Sequence, residues 1–326
     1  MLDFSTAWRP SASQTLLRLR ADILSRIRLF FTKRQVLEVE TPVLSQATVT
    51  DKHLHSFHTE YCLANPHQKK ILYLQTSPEF AMKRLLAADS GPIYQLCKAF
   101  RNQGESGRMH NPEFTLLEWY RPGFDLHALM DEVEDLLKII LNCQPAQRLS
   151  YAELFQKFLQ IDPHLISIEQ LKQTVPRFKL CVENLSNMEK DDWLNLLMTH
   201  CIEPQLPTCP VFIYDFPASQ AALARIRPGD PPLAARFEVY VHGLELANGF
   251  HELSSPSEQR QRFMDDLSQR KRAGYPLVPV DERLLAALAH GLPDCSGVAL
   301  GIDRLILLAA KKDTLDEVLA FPLDRA

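Results

Sequence analysis

FRNQGESGRMHNPEFTLLEWY (Phe100 to Tyr120) sets a strand end, a polar loop containing glycine, and a second strand within one short span. The run IYQLCKAF leads into it, and EFTLLEWY carries the aromatic and apolar content of a strand out of it. Alternation puts Phe114, Leu116, Glu118 and Tyr120 on one face. Glu118 is the polar exception there, and a carboxylate among apolar neighbours is costly unless it meets a cation or donor. It is either a paired structural link or a holder of a ligand amine beside Tyr120. Arg101 closes the first strand, and Arg108 and His110 lie in the loop. A guanidinium suits phosphate because its fork is planar and permanently charged, although loop arginines also serve as solvated surface.

Far along the chain, GVALGIDR (Gly297 to Arg304) is the most specific local pattern. Gly297 and Gly301 permit close backbone approach to a flat or charged ligand. Arg304 falls at the start of the following helix, where amide dipoles also favour an anion. A buried strand entering a helix with an ordinary arginine is the alternative. The two stretches together suggest a nucleoside triphosphate held on an antiparallel sheet.

A third constellation is RFEVYVHGLELANGFHEL. His242 and Gly243 can turn the chain, which would set Glu238 and Glu245 on neighbouring antiparallel strands. Paired carboxylates repel unless a cation lies between them, and magnesium is a hard, oxygen-seeking ion that also binds substrate phosphates. Otherwise both acids face solvent. Asn248, Gly249 and Glu252 crowd polar and small residues into a segment that should be packing. A glycosidase-like acid pair would leave the arginines without a role.

Between these stretches the order is helix, antiparallel strands, then a late strand-helix unit, which is an α+β arrangement. Residues 14 to 34 place Leu16, Leu19, Ile23, Ile27 and Phe30 at helical spacing. VLEVETPVL follows as a short strand ended by Pro42. Helix and strand together serve either packing within one chain or a twofold interface. PEFAMKRLLAAD reads as a helix from Pro78 with Ser77 as its cap, and DLHALMDEVEDLLKIILN as an amphipathic helix ending near Asn142. Residues 145 to 210 change texture to helical fragments with prolines and resemble an insertion in a single catalytic domain spanning 1–326. A basic helix follows from Ser257 to Ala273. No G-x-G-x-x-G or P-loop stretch is present.

A chain of 326 residues can bury a sizeable core as one large domain. The formal net charge of -4 gives no global reason to expect nucleic acid binding. The seven cysteines are scattered and form no C-x-x-C pair, which favours a reducing compartment and argues against a zinc site. The N-terminus has no basic segment leading into an apolar core, and apolar runs break well short of a membrane span. A cytoplasmic protein without a membrane partner is expected.

In chain order, VLEVETPVL, FRNQGESGRMHNPEFTLLEWY and GVALGIDR resemble the three signature motifs of the class II aminoacyl-tRNA synthetases, most closely the lysyl branch. TSPE (Thr76 to Glu79), ELANGFHEL and the Glu238/Glu245 pair follow the lysyl pattern too, so the resemblance covers roughly residues 14 to 323. It implies that fold's catalytic domain, an antiparallel sheet flanked by helices, and a homodimer through the first motif. It implies ATP and Mg2+, with Arg101 on the α-phosphate and Arg304 on the γ-phosphate as the catalytic arginines. Asn102, Gln103, Arg108, His110 and Asn111 would line the nucleotide, with Phe114 on adenine and Glu245, Leu246 and Gly301 nearby. Glu238 and Glu245 would coordinate the metal. Thr76, Ser77, Pro78, Glu79, Glu118, Tyr120, Asn248, Glu252 and Ala299 would surround a lysine-like substrate.

Departures from the lysyl pattern refine this. The first-motif helix begins almost at once, which leaves no room for an anticodon-binding domain and argues against tRNA. Ala299 stands where glycine is usual, so a methyl group crowds an α-amine while tolerating an amine moved along the chain. Gln103 replaces a common glutamate. The first two departures are shared by short lysyl-tRNA synthetase paralogues that load (R)-β-lysine onto a lysine ε-amine of elongation factor P. An acidic, tRNA-shaped acceptor of that kind would have the basic stretch Arg260, Arg262, Arg270, Lys271 and Arg272 to meet, unless that stretch is a solvated helix face.

Overall fold

The computed structural model describes residues 8–62, 69–102, 107–178 and 188–326. The chain divides into two compact units, one of residues 1–123 with 254–326 and one of residues 124–253. In chain order the first unit contributes α1 (Gln14–Lys33), β1 (Leu37–Glu38), β2 (Leu44–Ser45), β3 (His58–Cys62), β4 (Lys69–Leu74), α2 (Glu79–Ala87), β5 (Ile93–Phe100) and β6 (Glu113–Pro122). The second contributes α3 (Leu126–Leu141), β7 (Gln147–Ser150), α4 (Tyr151–Leu159), α5 (Ile168–Thr174), α6 (Lys190–Leu197), β8 (Val211–Pro217), β9 (Ile226–Arg227), β10 (Leu233–Val241) and β11 (Leu244–His251). The chain then returns to the first unit with α7 (Pro256–Arg272), α8 (Glu282–Gly291), β12 (Cys295–Gly301) and α9 (Ile302–Ala310).

In the first unit β5 pairs antiparallel with β6, and β6 antiparallel with β12; β1 adds parallel to β5. Directly opposed residues share a face, so each register line is a row across the sheet. Tyr94 opposes Trp119 on the back face, and α1 covers them. Phe31 stacks on Tyr94 at 4.3 Å and meets Trp119 edge-on at 5.3 Å. Ile23, Ile27 and Phe31 are fully buried, which is what the helical apolar spacing requires. Trp119 is the keystone of this layer, and its truncation to alanine would cost about 3–5 kcal/mol. The front face is left for the site.

VLEVETPVL does not form one strand. Leu37–Glu38 joins the large sheet through β5, whereas Leu44–Ser45 pairs with β4 in a separate three-stranded sheet ordered β2-β4-β3. Pro42 lies between them and has no N–H to give a ladder, which is why pairing stops and resumes elsewhere.

In the second unit β10 pairs with β11 and β8, β7 runs parallel to β8, and β9 adds to β10. Helix α3 starts at Asp125, whose carboxylate accepts from Ala128 N–H at 2.8 Å, and ends at Asn142 in the left-handed conformation. The segment from 145 to 210 builds its helices onto β8 and β10, with Tyr151, Phe155, Trp193, Leu194, Val211 and Ile213 buried together. Capping boxes of Ser150 with Glu153 and Ser167 with Gln170 explain where α4 and α5 begin.

Candidate active site

On the front face of the first unit the rows read Ala99–Phe114, Cys97–Leu116–Gly301, Gln95–Glu118–Ala299 and Ile93–Tyr120–Gly297. Glu118 therefore lies between Gln95 and Ala299, and it is only 2 % exposed. Its Oε1 accepts from the Tyr120 hydroxyl at 2.6 Å and its Oε2 from Ser77 Oγ at 2.7 Å. Both of these partners donate to the carboxylate, and a carboxylate held in this way is a group that can receive an ammonium. Its field is felt nearby: burial first, and the Glu118 carboxylate second, push the Cys97 thiol up to about 12.

Ser77 Oγ also accepts from Glu79 N–H at 3.1 Å while orienting Glu118. The helix itself starts at Glu79 with Pro78 as its N-cap, one residue later than the expected start at Pro78 with Ser77 as cap. Glu79 is held by the buried Lys83, Nζ to Oε1 at 2.6 Å. Within this unit Glu79 is thus already paired with a cation, a partner that sequence spacing alone did not single out. Thr76 is buried beside them.

The arginines lie at the loop end of these rows. Arg101 donates its backbone N–H to Pro112 O and holds its guanidinium carbon 5.0 Å from the centre of the Phe114 ring. Asn102 N–H bonds His55 O at 2.7 Å. Arg304 enters at the third position of α9, and its Nη2 meets His110 Nε2 at 2.8 Å, with Nε to Met109 O at 3.4 Å. An arginine only donates, so in this contact His110 accepts on Nε2. Loop and helix arginine, 194 residues apart, are brought into direct contact. Asn111 is used structurally: Nδ2 donates to Glu113 O and Oδ1 accepts from Leu323 N–H. Arg108 accepts Leu315 N–H on its carbonyl. Gln103 lies outside the described residues.

Asp303, next to Arg304, was not singled out from the sequence. Its Oδ1 takes Arg20 Nη1 at 2.7 Å, its Oδ2 takes Thr115 N–H at 2.7 Å, and Arg20 Nη2 reaches Thr115 Oγ1 at 2.8 Å. One buried carboxylate thereby ties α1, β6 and the start of α9 together.

The second unit carries the acidic pair. His242 and Gly243 both have positive φ, 53° and 72°, and form the two-residue turn between β10 and β11. Glu238 opposes Asn248, not Glu245. Plain alternation along β11 would put Glu245 and Asn248 on opposite faces. The register shifts between Val239 and Tyr240, leaving Leu246 as the extra residue, and Glu245 falls opposite Tyr240. That bulge returns Glu245 to the Glu238 face, the re-aiming that bulges perform beside active sites. Glu238 is bonded by Arg236 Nη2 and by the Tyr240 hydroxyl at 2.7 Å. Burial and the Glu238, Glu245 and Glu203 carboxylates hold the Tyr240 phenol well above its ordinary range. Glu252 is buried at the end of this strand run, where it bridges Ala224.

Among the described residues no three metal-ligating side chains cluster. Two carboxylates on one face still fit magnesium, which takes one or two protein carboxylates and completes its shell with phosphate and water. Each Glu238 oxygen keeps a second lone pair beyond the bond it accepts from Arg236 or Tyr240. Arg236 and Tyr240 were legible as a pattern, since RFEVY alternates Arg236, Glu238 and Tyr240 onto one face.

The basic stretch does not form a common docking face. Arg270 is buried and donates to Pro276 O and Asp51 O, Arg260 pairs with Glu282, and Arg262 with Glu258. Of the five, only Lys271 and Arg272 lie exposed without such a bond. Among the described residues no helix is long and apolar enough to cross a membrane.

Comparison with known proteins matches residues 4–325 to the family described as tRNA synthetases class II (D, K and N). An elongation factor P–(R)-beta-lysine ligase from Edwardsiella ictaluri is 54% identical over 321 residues, 98% of each chain. Proteins of the same name from Salmonella paratyphi B and Salmonella schwarzengrund are 54% identical over 325 residues, 99% of each chain.

Proposed function

Because the chain belongs to the class II tRNA synthetase family (D, K and N), we propose that it activates (R)-β-lysine with ATP and transfers it to a lysine ε-amine of elongation factor P, a reading supported by relatives that carry the name elongation factor P–(R)-beta-lysine ligase. The observation that carries the substrate side is the row Gln95–Glu118–Ala299. It offers one carboxylate, oriented by Ser77 and Tyr120, with a methyl group directly beside it on the next strand.

The reaction divides in two. A carboxylate oxygen of β-lysine attacks the α-phosphorus of ATP, forming the acyl-adenylate and releasing pyrophosphate. The acceptor amine then attacks the acyl carbon, forms an amide, loses a proton and expels AMP. No protein nucleophile is required; positioning and charge neutralisation supply the catalysis. Arg101 takes the α-phosphate, where negative charge builds during attack. Arg304, steadied by His110, takes the γ-phosphate. Phe114 offers a ring to adenine, and Asn102, Gln103, Arg108, His110, Asn111, Leu246 and Gly301 complete the nucleotide side. Glu118 and Tyr120 receive a substrate amine, with Thr76, Ser77, Pro78 and Glu79 closing that side and Asn248 and Glu252 completing it. Glu238 and Glu245 would hold magnesium, which when bound neutralises phosphate charge. Assembly as a homodimer through α1 and the first motif, a cytoplasmic location, and the lack of a tRNA substrate belong to the same reading.

Incubation with ATP, magnesium, labelled (R)-β-lysine and purified elongation factor P, followed by intact-mass measurement of the factor, tests it. The expected result is one β-lysyl adduct. A charged tRNA with no adduct would overturn the proposal. Ala299→Gly should improve α-lysine use by about tenfold, the scale of one methyl group in a pocket; an unchanged preference removes Ala299 as selector.

A further inference from the structure

We infer that Arg236 is a positioning residue that fixes which way round the Asn248 amide faces, and so makes Asn248 a reader of carboxylate oxygen rather than of an amine. This rests on the substrate assignment above and extends it to a residue outside that set.

Arg236 lies on β10 two residues before Glu238, and Glu238 directly opposes Asn248 on β11. All three nitrogens of its guanidinium are committed. Nη1 donates to Gln220 O at 2.8 Å, Nη2 donates to Glu238, and Nε donates to Asn248 Oδ1 at 3.2 Å. The planar group also lies 4.6 Å from the centre of the Phe216 ring. Its side chain is 16% exposed, so the fork is fixed by four neighbours and cannot swing to other partners.

The two ends of an asparagine amide have nearly the same shape, and their identity follows from the partners they meet. A guanidinium has donors and no acceptor. Asn248 must therefore turn its oxygen toward Arg236, which leaves the NH2 end as the half presented to a ligand. That end only donates. It can meet a carboxylate or phosphate oxygen, and it repels an ammonium group. Among the described residues it meets no acceptor. The same guanidinium holds the neighbouring Glu238 with its acceptors in place. One arginine thus sets two opposed residues to opposite polarity, Glu238 as acceptor and Asn248 as donor.

The test is equilibrium binding by calorimetry without ATP, comparing (R)-β-lysine with pentane-1,4-diamine, which keeps both amines and lacks the carboxylate. The wild type should bind β-lysine more tightly. Arg236→Met should lose about tenfold or more of that preference, the scale of one hydrogen bond to a charged group, while diamine binding stays as in the wild type. Arg236→Lys, also a donor-only cation, should keep most of it. Asn248→Asp, with Arg236 intact, should lose it, because aspartate offers no donor. An unchanged ratio in Arg236→Met would overturn the inference. So would equal loss of both ligands in the Met and Lys variants, the mark of a purely structural role. If Arg236→Met does not fold, the Lys and Asp variants decide, and retention of the preference by Asn248→Asp overturns it. Failure of the wild type to bind β-lysine at all would instead strike at the proposed function.

Discussion

Asp303→Asn should destabilise the first unit almost as much as a truncation, although it changes one atom. The carboxylate accepts from donors on both sides, Arg20 Nη1 at 2.7 Å and Thr115 N–H at 2.7 Å. An asparagine has one oxygen and must point its NH2 at one of those donors. Either orientation loses a charge-assisted bond and opposes two donors, with the Asp303 side chain 4% exposed. Breaking a buried pair costs about 3–5 kcal/mol; the 19% exposure of Arg20 argues for the lower end, about 3 kcal/mol. Arg20→Met should cost a similar amount, since it strands the carboxylate. The double variant should cost less than the sum by about 2 kcal/mol, because the stranded charge is gone. Urea unfolding would be followed by Trp119 fluorescence in a background with Trp8 and Trp193 changed to phenylalanine, so that the signal comes from this unit. The midpoint of each single variant should fall by about 1 M or more. Additive costs in the double variant, or single variants within about 0.5 kcal/mol of the parent, would refute the idea that Asp303 joins α1, β6 and α9. The adjacent Arg304 gives a second readout, because loosening Asp303 should lower kcat/KM for pyrophosphate exchange.

Gly243→Ala should cost about 2 kcal/mol or more, since φ is +72° and a Cβ would lie 2.8 Å from Glu203 O; wild-type unfolding of the second unit, read at Trp193, would contradict this. Asp266 is raised from 3.8 to about 6, chiefly by burial, with a bond from Thr50 opposing the shift. A raised acid binds its proton more readily in the folded state, so its destabilising effect is absent below about pH 4 and grows as pH rises through 6. Asp266→Asn should therefore raise Tm at pH 7.5, by the equivalent of about 1–2 kcal/mol after allowing for partial exposure, and leave it unchanged near pH 4; an equal gain at both pH values rules out titration as the cause. Arg304→Lys keeps the charge but loses the fork, and should lower kcat/KM for pyrophosphate exchange about 100-fold, with wild-type kinetics excluding a transition-state role.

What the sequence made legible was local. The β5 and β6 strands, the α3 helix from its aspartate cap to Asn142, and the His242–Gly243 turn each follow from spacing and turn chemistry within a few residues. The Glu118 face followed from alternation, and only pairing in register could show that Ala299 is its neighbour across the strand. The hidden parts share a physical cause. The bulge at Leu246 changes which face Glu245 occupies without changing any residue's preference for a strand, so period counting passes over it. Arg20 and Asp303 are 283 positions apart, and nothing local distinguishes Arg20 from the surface arginines of the same helix. Arg270 and Arg236 make the same point from opposite sides. Both are arginines in segments rich in charge, yet one is consumed in holding backbone carbonyls and the other orders two residues of the candidate site. An arginine's role is settled by what its donors face after folding. The donor-only chemistry that makes it so easily satisfied by carbonyls is also what lets Arg236 impose a single orientation on Asn248.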